Sequence, residues 1–269
     1  MIAYTPPASA QVRDSSRRVN IADTIRKDLF TAPDTVSRLR SKAWTLLPPA
    51  IFVAYGASSF YIHPLRRFDN FINDNAQEHN FVPKPVTENY LQYAPVIITY
   101  GVNLVGVHGK NTFVDRTLIY VLAQGMLNLS VFGLKNATHR LRPNGANNYS
   151  FPSGHTANAF AGAEFMAQEL GDQSWLYSFA GYAFATTTGI FRIYHTDHWF
   201  SDVVAGAGFG ILATKGAYLL YPVIRNSLSK KHRKSSPVAG EKPEQERSGF
   251  MLMPSYSNGV AGIQFAMVF

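Results

Sequence analysis

Three short segments hold residues whose types and spacing suit phosphoryl chemistry. In the first, Lys135 and Arg142 stand seven apart and Pro143 follows. Two helical turns would put both cations on one face, and the proline would end the helix. In the second, Ser150-Phe151-Pro152-Ser153-Gly154-His155-Thr156 precedes an apolar run. Ser153 is a natural N-cap and Gly154 permits close backbone approach. Free amides and the helix dipole at such a start suit an anion, and His155 could supply a proton. In the third, from Arg192 to Asp202, His198 and Asp202 stand one helical turn apart. A carboxylate on one imidazole nitrogen fixes the tautomer and leaves the other nitrogen free to attack.

Each segment has a plainer reading alone. Basic residues at a helix C-terminus complement the dipole or anchor at an interface. A serine before a helix is an ordinary cap, and a histidine four residues from an aspartate is an ordinary helix-start pair. His195 and Asp197 read as bland. What distinguishes the three is their common placement at helix boundaries, which an up-and-down bundle brings to one end. Cations, two histidines, an aspartate and a helix N-terminus at one pole suit phosphoryl transfer.

The elements that must position these residues are apolar. Six stretches, at 44–62, 91–107, 118–134, 156–170, 175–191 and 203–224, approach the ~20 residues needed to cross a bilayer. Ala205, Gly206, Ala207, Gly208 and Gly210 allow close helix packing in the last. The mean hydropathy of −0.07 is low for a multi-span protein, so a soluble bundle of buried helices stays open. The expected fold is all-α, a bundle of about six spans with a small C-terminal β-hairpin around Asn258-Gly259. The expected organisation is a basic N-terminal segment (1–42), a helical domain (43–224), a basic disordered linker (225–248) and the hairpin (249–269). Residues 63–90 read as a polar loop.

The net charge of +8 hints at nucleic acid until it is partitioned. Residues 1–42 hold 8 basic and 4 acidic side chains, and residues 225–269 hold 7 and 3, whereas 43–224 hold 10 of each. The excess lies in the flanks, and the folded centre has no basic surplus of the kind a nucleic-acid face needs. Basic flanks favour the cytoplasmic side, which with six spans turns the ends of the third and fifth stretches outward. Ala8-Ser9-Ala10 resembles the end of a signal peptide, but only seven residues precede it, so the alternative is a truncated signal ending at Ala10. Without cysteine, thiolate catalysis and Cys-ligated zinc are excluded.

The order and spacing Lys135-x6-Arg142-Pro143, Pro152-Ser153-Gly154-His155 and Arg192-x5-His198-x3-Asp202 resemble the three-part signature of the type 2 phosphatidic-acid phosphatase and vanadium haloperoxidase superfamily. The likeness covers about residues 90–224, and the apolar plan is similar to the membrane branch. Phe191 departs from it, standing where the family usually has Ser. The resemblance implies His198 as nucleophile, Asp202 as its orienting partner and His155 as acid. It also implies Lys135, Arg142, Ser153, Gly154 and Arg192 as phosphate ligands, with no metal and no cofactor. The expected activity is a membrane phosphatase acting on a lipid phosphate or pyrophosphate from the periplasmic face of the plasma membrane. A soluble periplasmic acid phosphatase, a vanadate-dependent haloperoxidase and a non-hydrolytic anion transporter are the alternatives.

Overall fold

The computed structural model describes residues 43–78, 87–235, 249–257 and 260–268. The N-terminal segment, with the possible signal remnant at Ala10, lies outside the described residues, as do most of the expected linker and the Asn258-Gly259 turn. The chain divides into two units, one ending at Ser229 and the other starting at Lys230.

After a short 3-10 turn at Ala43–Leu46, the first unit is built from α1 (Leu47–Ser58), α2 (His63–Glu78), α3 (Thr87–Leu91), α4 (Ala94–Leu104), α5 (Phe113–Thr138), α6 (Gly154–Leu170) and α7 (Trp175–Tyr194). Helix α8 (Phe200–Ser235) follows. Prolines start α1 and α4, where the missing N–H has no helical partner to lose. Thr112 caps α5 by accepting from the Asp115 amide, and Ser174 caps α7 by accepting from the Leu176 amide. In the second unit, β1 (Gly249–Ser257) pairs antiparallel with β2 (Val260–Val268), with Ser257 opposite Val260.

One expectation changes and another is not confirmed. Much of the supposed loop 63–90 is helical, because Leu65, Phe68 and Ile72 recur at helical spacing in α2. The count of six spans is not confirmed. Among the described residues, two helices, Phe113–Thr138 and Phe200–Ser227, are long and apolar enough to cross a membrane, or three if α1 and α2, bent by 92°, form one broken span. Helix α4 has 11 residues, only about 16 Å of rise. Helix α6 carries Glu164 and Glu169. In α7, Thr186, Thr187, Thr188 and two glycines dilute the apolar run.

Helix α6 forms the core. Its Phe165 packs with Ile119 and Ala123 of α5 and with Ala217 and Tyr218 of α8. Ala157 and Ala161 meet Leu127 and Ala213, while Ala159 and Ala163 meet Ala185 of α7. The glycines of α8 matter for the site. A Cβ on Gly206 would lie 2.6 Å from the Ser153 carbonyl oxygen, and one on Gly210 would overlap the Ala157 carbonyl. Backbone therefore rests on backbone where α8 passes the start of α6, and the Ser153 amide donates to the Asp202 carbonyl at 3.1 Å.

Candidate active site

Helix α5 ends when His139 takes a left-handed conformation, with its amide donating to Lys135 O. The helix therefore stops before Arg142, and the expected shared helical face does not exist. The following loop folds back instead. The Arg142 amide donates to Asn147 O, and the Asn144 amide donates to Thr196 O in the α7–α8 connection, both at 3.0 Å. Lys135 and Arg142 still converge, because both line a cavity of about 600 Å³ with Gly154, His155 and His198. Its other walls are Gln92, Tyr93, Tyr120, Gln124, Asn128 and Asn158. Lys135 Nζ donates to Tyr149 O at 2.5 Å, which holds it at the rim.

His198 is 2 % exposed. Its Nδ1 lies 2.6 Å from the Ser150 carbonyl oxygen, an acceptor only, so Nδ1 carries the proton and Nε2 is left unprotonated. Burial, followed by the positive charges of Lys135, Arg192 and Arg142, pushes the imidazole pKa well below its ordinary value. The ring is therefore neutral at neutral pH.

Asp202 does not sit where the one-turn spacing suggests. Its Oδ2 is 3.9 Å from His198 Nδ1, beyond hydrogen-bond reach. It accepts instead from Ser150 Oγ at 2.5 Å and from the Trp199 amide at 3.0 Å, while Oδ1 accepts from Arg140 at 2.6 Å. The physical reason is competition. As an N-terminal carboxylate of α8 it is claimed by the local amide and by a guanidinium, and the Ser150 carbonyl takes the histidine.

His155 opens α6, and its Nε2 lies 2.7 Å from Asn89 Oδ1. Burial and then Arg192 lower its pKa to about 4. Ser153 holds the N-cap position, but its hydroxyl pairs with Thr156 Oγ1 at 2.9 Å rather than with a backbone amide. It is fully buried and does not line the cavity. At Gly154 a Cβ would meet only Val131, at 3.9 Å, so the backbone there faces open space.

Arg192 lines a neighbouring cavity of about 760 Å³. It pairs with Glu88 at 3.0 Å and Asp197 at 2.8 Å, and Asp197 also pairs with Arg142 at 3.1 Å. Asp197 thus yokes the two arginines, and His195 Nδ1 sits 2.7 Å from Glu88. The Nε atoms of Arg142 and Arg192 and Oε2 of Glu88 are buried without a hydrogen-bond partner. Glu88, His195 and Asp197 bring ligand atoms within 4.8 Å of one another, a spacing a metal ion could use, but the Arg192 guanidinium already pairs with both carboxylates. Phe191, the departure from the family pattern, lies beside the His195 ring.

Arg140, Asp69, Glu88 and Asp197 escape a reading of the sequence. Arg140 sits two residues before Arg142 in the first segment. Asp69 and Glu88 come from the stretch read as loop, and no local spacing ties them to partners 71 and 104 residues away.

Residues 116–225 match the PAP2 superfamily. A lipid A 1-phosphatase of Porphyromonas gingivalis is 35% identical over 162 residues, covering 57% of this chain and 36% of that protein. The chain thus spans about a third of the length of this curated relative. Two solved structures are similar at 20% identity. One is a transmembrane PAP2 type phosphatidylglycerolphosphate phosphatase from Bacillus subtilis, with a TM-score of 0.48 over 72% of this chain and 98% of that one. The other is LpxE from Aquifex aeolicus, with a TM-score of 0.36 over 64% and 94%. The segment 116–225, which matches the PAP2 superfamily, contributes every wall of the His198 cavity except Gln92 and Tyr93.

Proposed function

We propose that this chain is a membrane phosphatase that hydrolyses a lipid phosphate or pyrophosphate monoester through a phosphohistidine on His198. One observation carries the reading: a buried neutral histidine shares a single cavity with Lys135, Arg142, the Gly154 backbone and a second histidine. In this mechanism His198 Nε2 attacks phosphorus as the bond to the lipid oxygen breaks. His155 delivers a proton to that leaving oxygen. Water, giving a proton to the now deprotonated His155, then attacks phosphorus as the N–P bond breaks; inorganic phosphate leaves and His198 returns to the neutral state. Lys135, Arg142 and the Gly154 amide hold the phosphate oxygens, and Arg192 adds charge from the neighbouring cavity. The unspent Nε donors of Arg142 and Arg192 suit an anion that supplies acceptors.

His155 needs its substrate to become an acid. Burial and then Arg192 keep it neutral before substrate binds. A bound phosphate dianion offsets the arginine charge and raises the imidazole pKa toward the range of a proton donor. Protonation would then follow binding, which protects the site from idle proton transfer.

The charges along α8 support a periplasmic site. Its first turn carries Asp202, and past its apolar part come Arg225, Lys230, Lys231, Arg233 and Lys234. Basic residues flanking a span favour the cytoplasm, so the site end faces outward, to the periplasm. This argument does not depend on the number of spans. Lipid A is the substrate that the name of the P. gingivalis relative suggests, with phosphatidic acid, phosphatidylglycerol phosphate and polyprenyl pyrophosphate as the comparison set. Purified protein should release phosphate from one of these, and brief reaction with labelled substrate should leave acid-labile label on His198. A His198→Gln protein that still turns over at the unsubstituted rate would sink the proposal.

A further inference from the structure

We propose that Arg140, which lies outside the His198 cavity, is the positioning residue that aims His198, and that Asp69 sets Arg140. The inference rests on the reading of His198 as nucleophile. Arg140 is the best-connected side chain near the site. Its Nη1 donates to Asp202 Oδ1 at 2.6 Å and to Ser201 Oγ at 2.8 Å, and its Nη2 donates to Asp69 Oδ2 at 2.7 Å. The guanidinium lies over Phe60 at 5.1 Å and Trp199 at 5.8 Å. A planar fork with fixed donor directions can bridge two carboxylates in a way that an ammonium cannot.

Two routes run from Arg140 to the nucleophile, and both pass through Ser150. By the backbone, the Ser150 amide donates to the Arg140 carbonyl at 2.9 Å. By the side chain, Arg140 holds Asp202, which accepts from Ser150 Oγ. Ser150 in turn presents its carbonyl to His198 Nδ1. Asp69 closes the frame from α2. It pairs with Arg140 and accepts from the amide and hydroxyl of Ser201 at 2.9 and 2.6 Å, so it fixes the start of α8 as well. Both carboxylates of the frame are nearly fully buried, with Asp69 at 1 % and Asp202 at 0 % exposure. Each leans on the shared guanidinium, and neither tolerates its loss without rearranging. Since Arg140 is absent from the cavity wall, its effect falls on the aim of Nε2 and not on phosphate affinity.

The test uses the full chain in lipid-supplemented detergent, with Arg140→Lys and Asp69→Asn, both read at matched melting temperature. Two probes separate aim from affinity: vanadate, whose five-coordinate adduct needs a correctly directed Nε2, and inorganic phosphate, which needs only the cations. A misdirected nucleophile should weaken vanadate binding and lower kcat by about 10²-fold in Arg140→Lys, with KM and phosphate affinity held within about twofold. Asp69→Asn should lose less in the same direction. The double variant should be no worse than Arg140→Lys alone, since both act through one frame. A folded Arg140→Lys or Asp69→Asn protein with unchanged vanadate affinity overturns the proposal, as does a loss confined to KM and phosphate affinity. Should the unsubstituted chain bind vanadate yet release no phosphate from any lipid, the substrate reading fails and the Arg140 comparison still stands on vanadate.

Discussion

His198 Nδ1 is held by the Ser150 carbonyl at 2.6 Å, whereas the Asp202 carboxylate stays 3.9 Å away. Backbone thus does the work that spacing assigns to a side chain. The consequence is an order of severity that a direct His–Asp pair would not give. Ser150→Ala keeps the carbonyl and removes only the hydroxyl that Asp202 accepts, so activity should fall by less than about tenfold. Asp202→Ala strips partners from Ser150, Trp199 and Arg140 at once and should lose about 10²-fold or more. Steady-state phosphate release from both variants decides it, and equal losses would contradict the geometry.

The two site histidines make stability and activity respond to acid. Each has a native pKa below its unfolded value of 6.5, that of His155 reaching about 4. Between pH 6.5 and about 4 the unfolded chain therefore binds protons that the native site refuses. The native state should hold its stability above pH 6.5 and lose it as pH falls through that window. Thermal melts across this range should show the decline, and His155→Gln should flatten part of it. The acid limb of kcat/KM should instead stay flat through pH 6.5 and fall only well below it, at the depressed native pKa of His198, because the proposed mechanism uses the neutral ring.

The His198 cavity was largely readable because its residues announce themselves locally. Lys135, Gly154, His155 and His198 each sit at a helix boundary, where chain order alone predicts which ends meet. The frame behind them was not readable. Arg140 finds Asp69 across 71 residues and Glu88 finds Arg192 across 104, and such pairings depend on tertiary packing that no window contains. Hydropathy alone does not decide α6. A helix surrounded by other helices can carry Glu164 and Glu169 because Lys215, Arg116 and Tyr218 satisfy them. Its sequence therefore resembles a poor span and a good core at once.

The glycines of α8 provide a paired test of how the site is assembled. A Cβ at Gly206 would press on the Ser153 carbonyl at 2.6 Å and on Thr156, both backed by buried helix. Gly206→Ala should destabilise by about 1–3 kcal/mol and push α8 from α6, which parts Asp202 from Ser153 and lowers activity. Gly125, inside α5, has nothing within 4 Å of the same position. Gly125→Ala should instead add up to about 1 kcal/mol through helix propensity and leave turnover unchanged. Melting temperatures and initial rates of the two proteins would have to agree with each other to refute this.

The other end of the bundle should govern stability without touching the chemistry. Arg116 and Glu169 are nearly fully buried and pair at 3.1 Å, and Glu169 also accepts from Tyr218 and from the Asn111 amide and side chain. Arg116 lies 19 residues before Lys135 on α5, about 28 Å along the helix. Glu169→Ala strands a desolvated guanidinium and should destabilise by about 3–5 kcal/mol. Because the lesion is distant, the fraction that remains folded should keep the unsubstituted KM and pH profile. Kinetics at a temperature well below the lowered melting point would read this directly, and a changed KM there would mean that the two ends of the bundle are coupled.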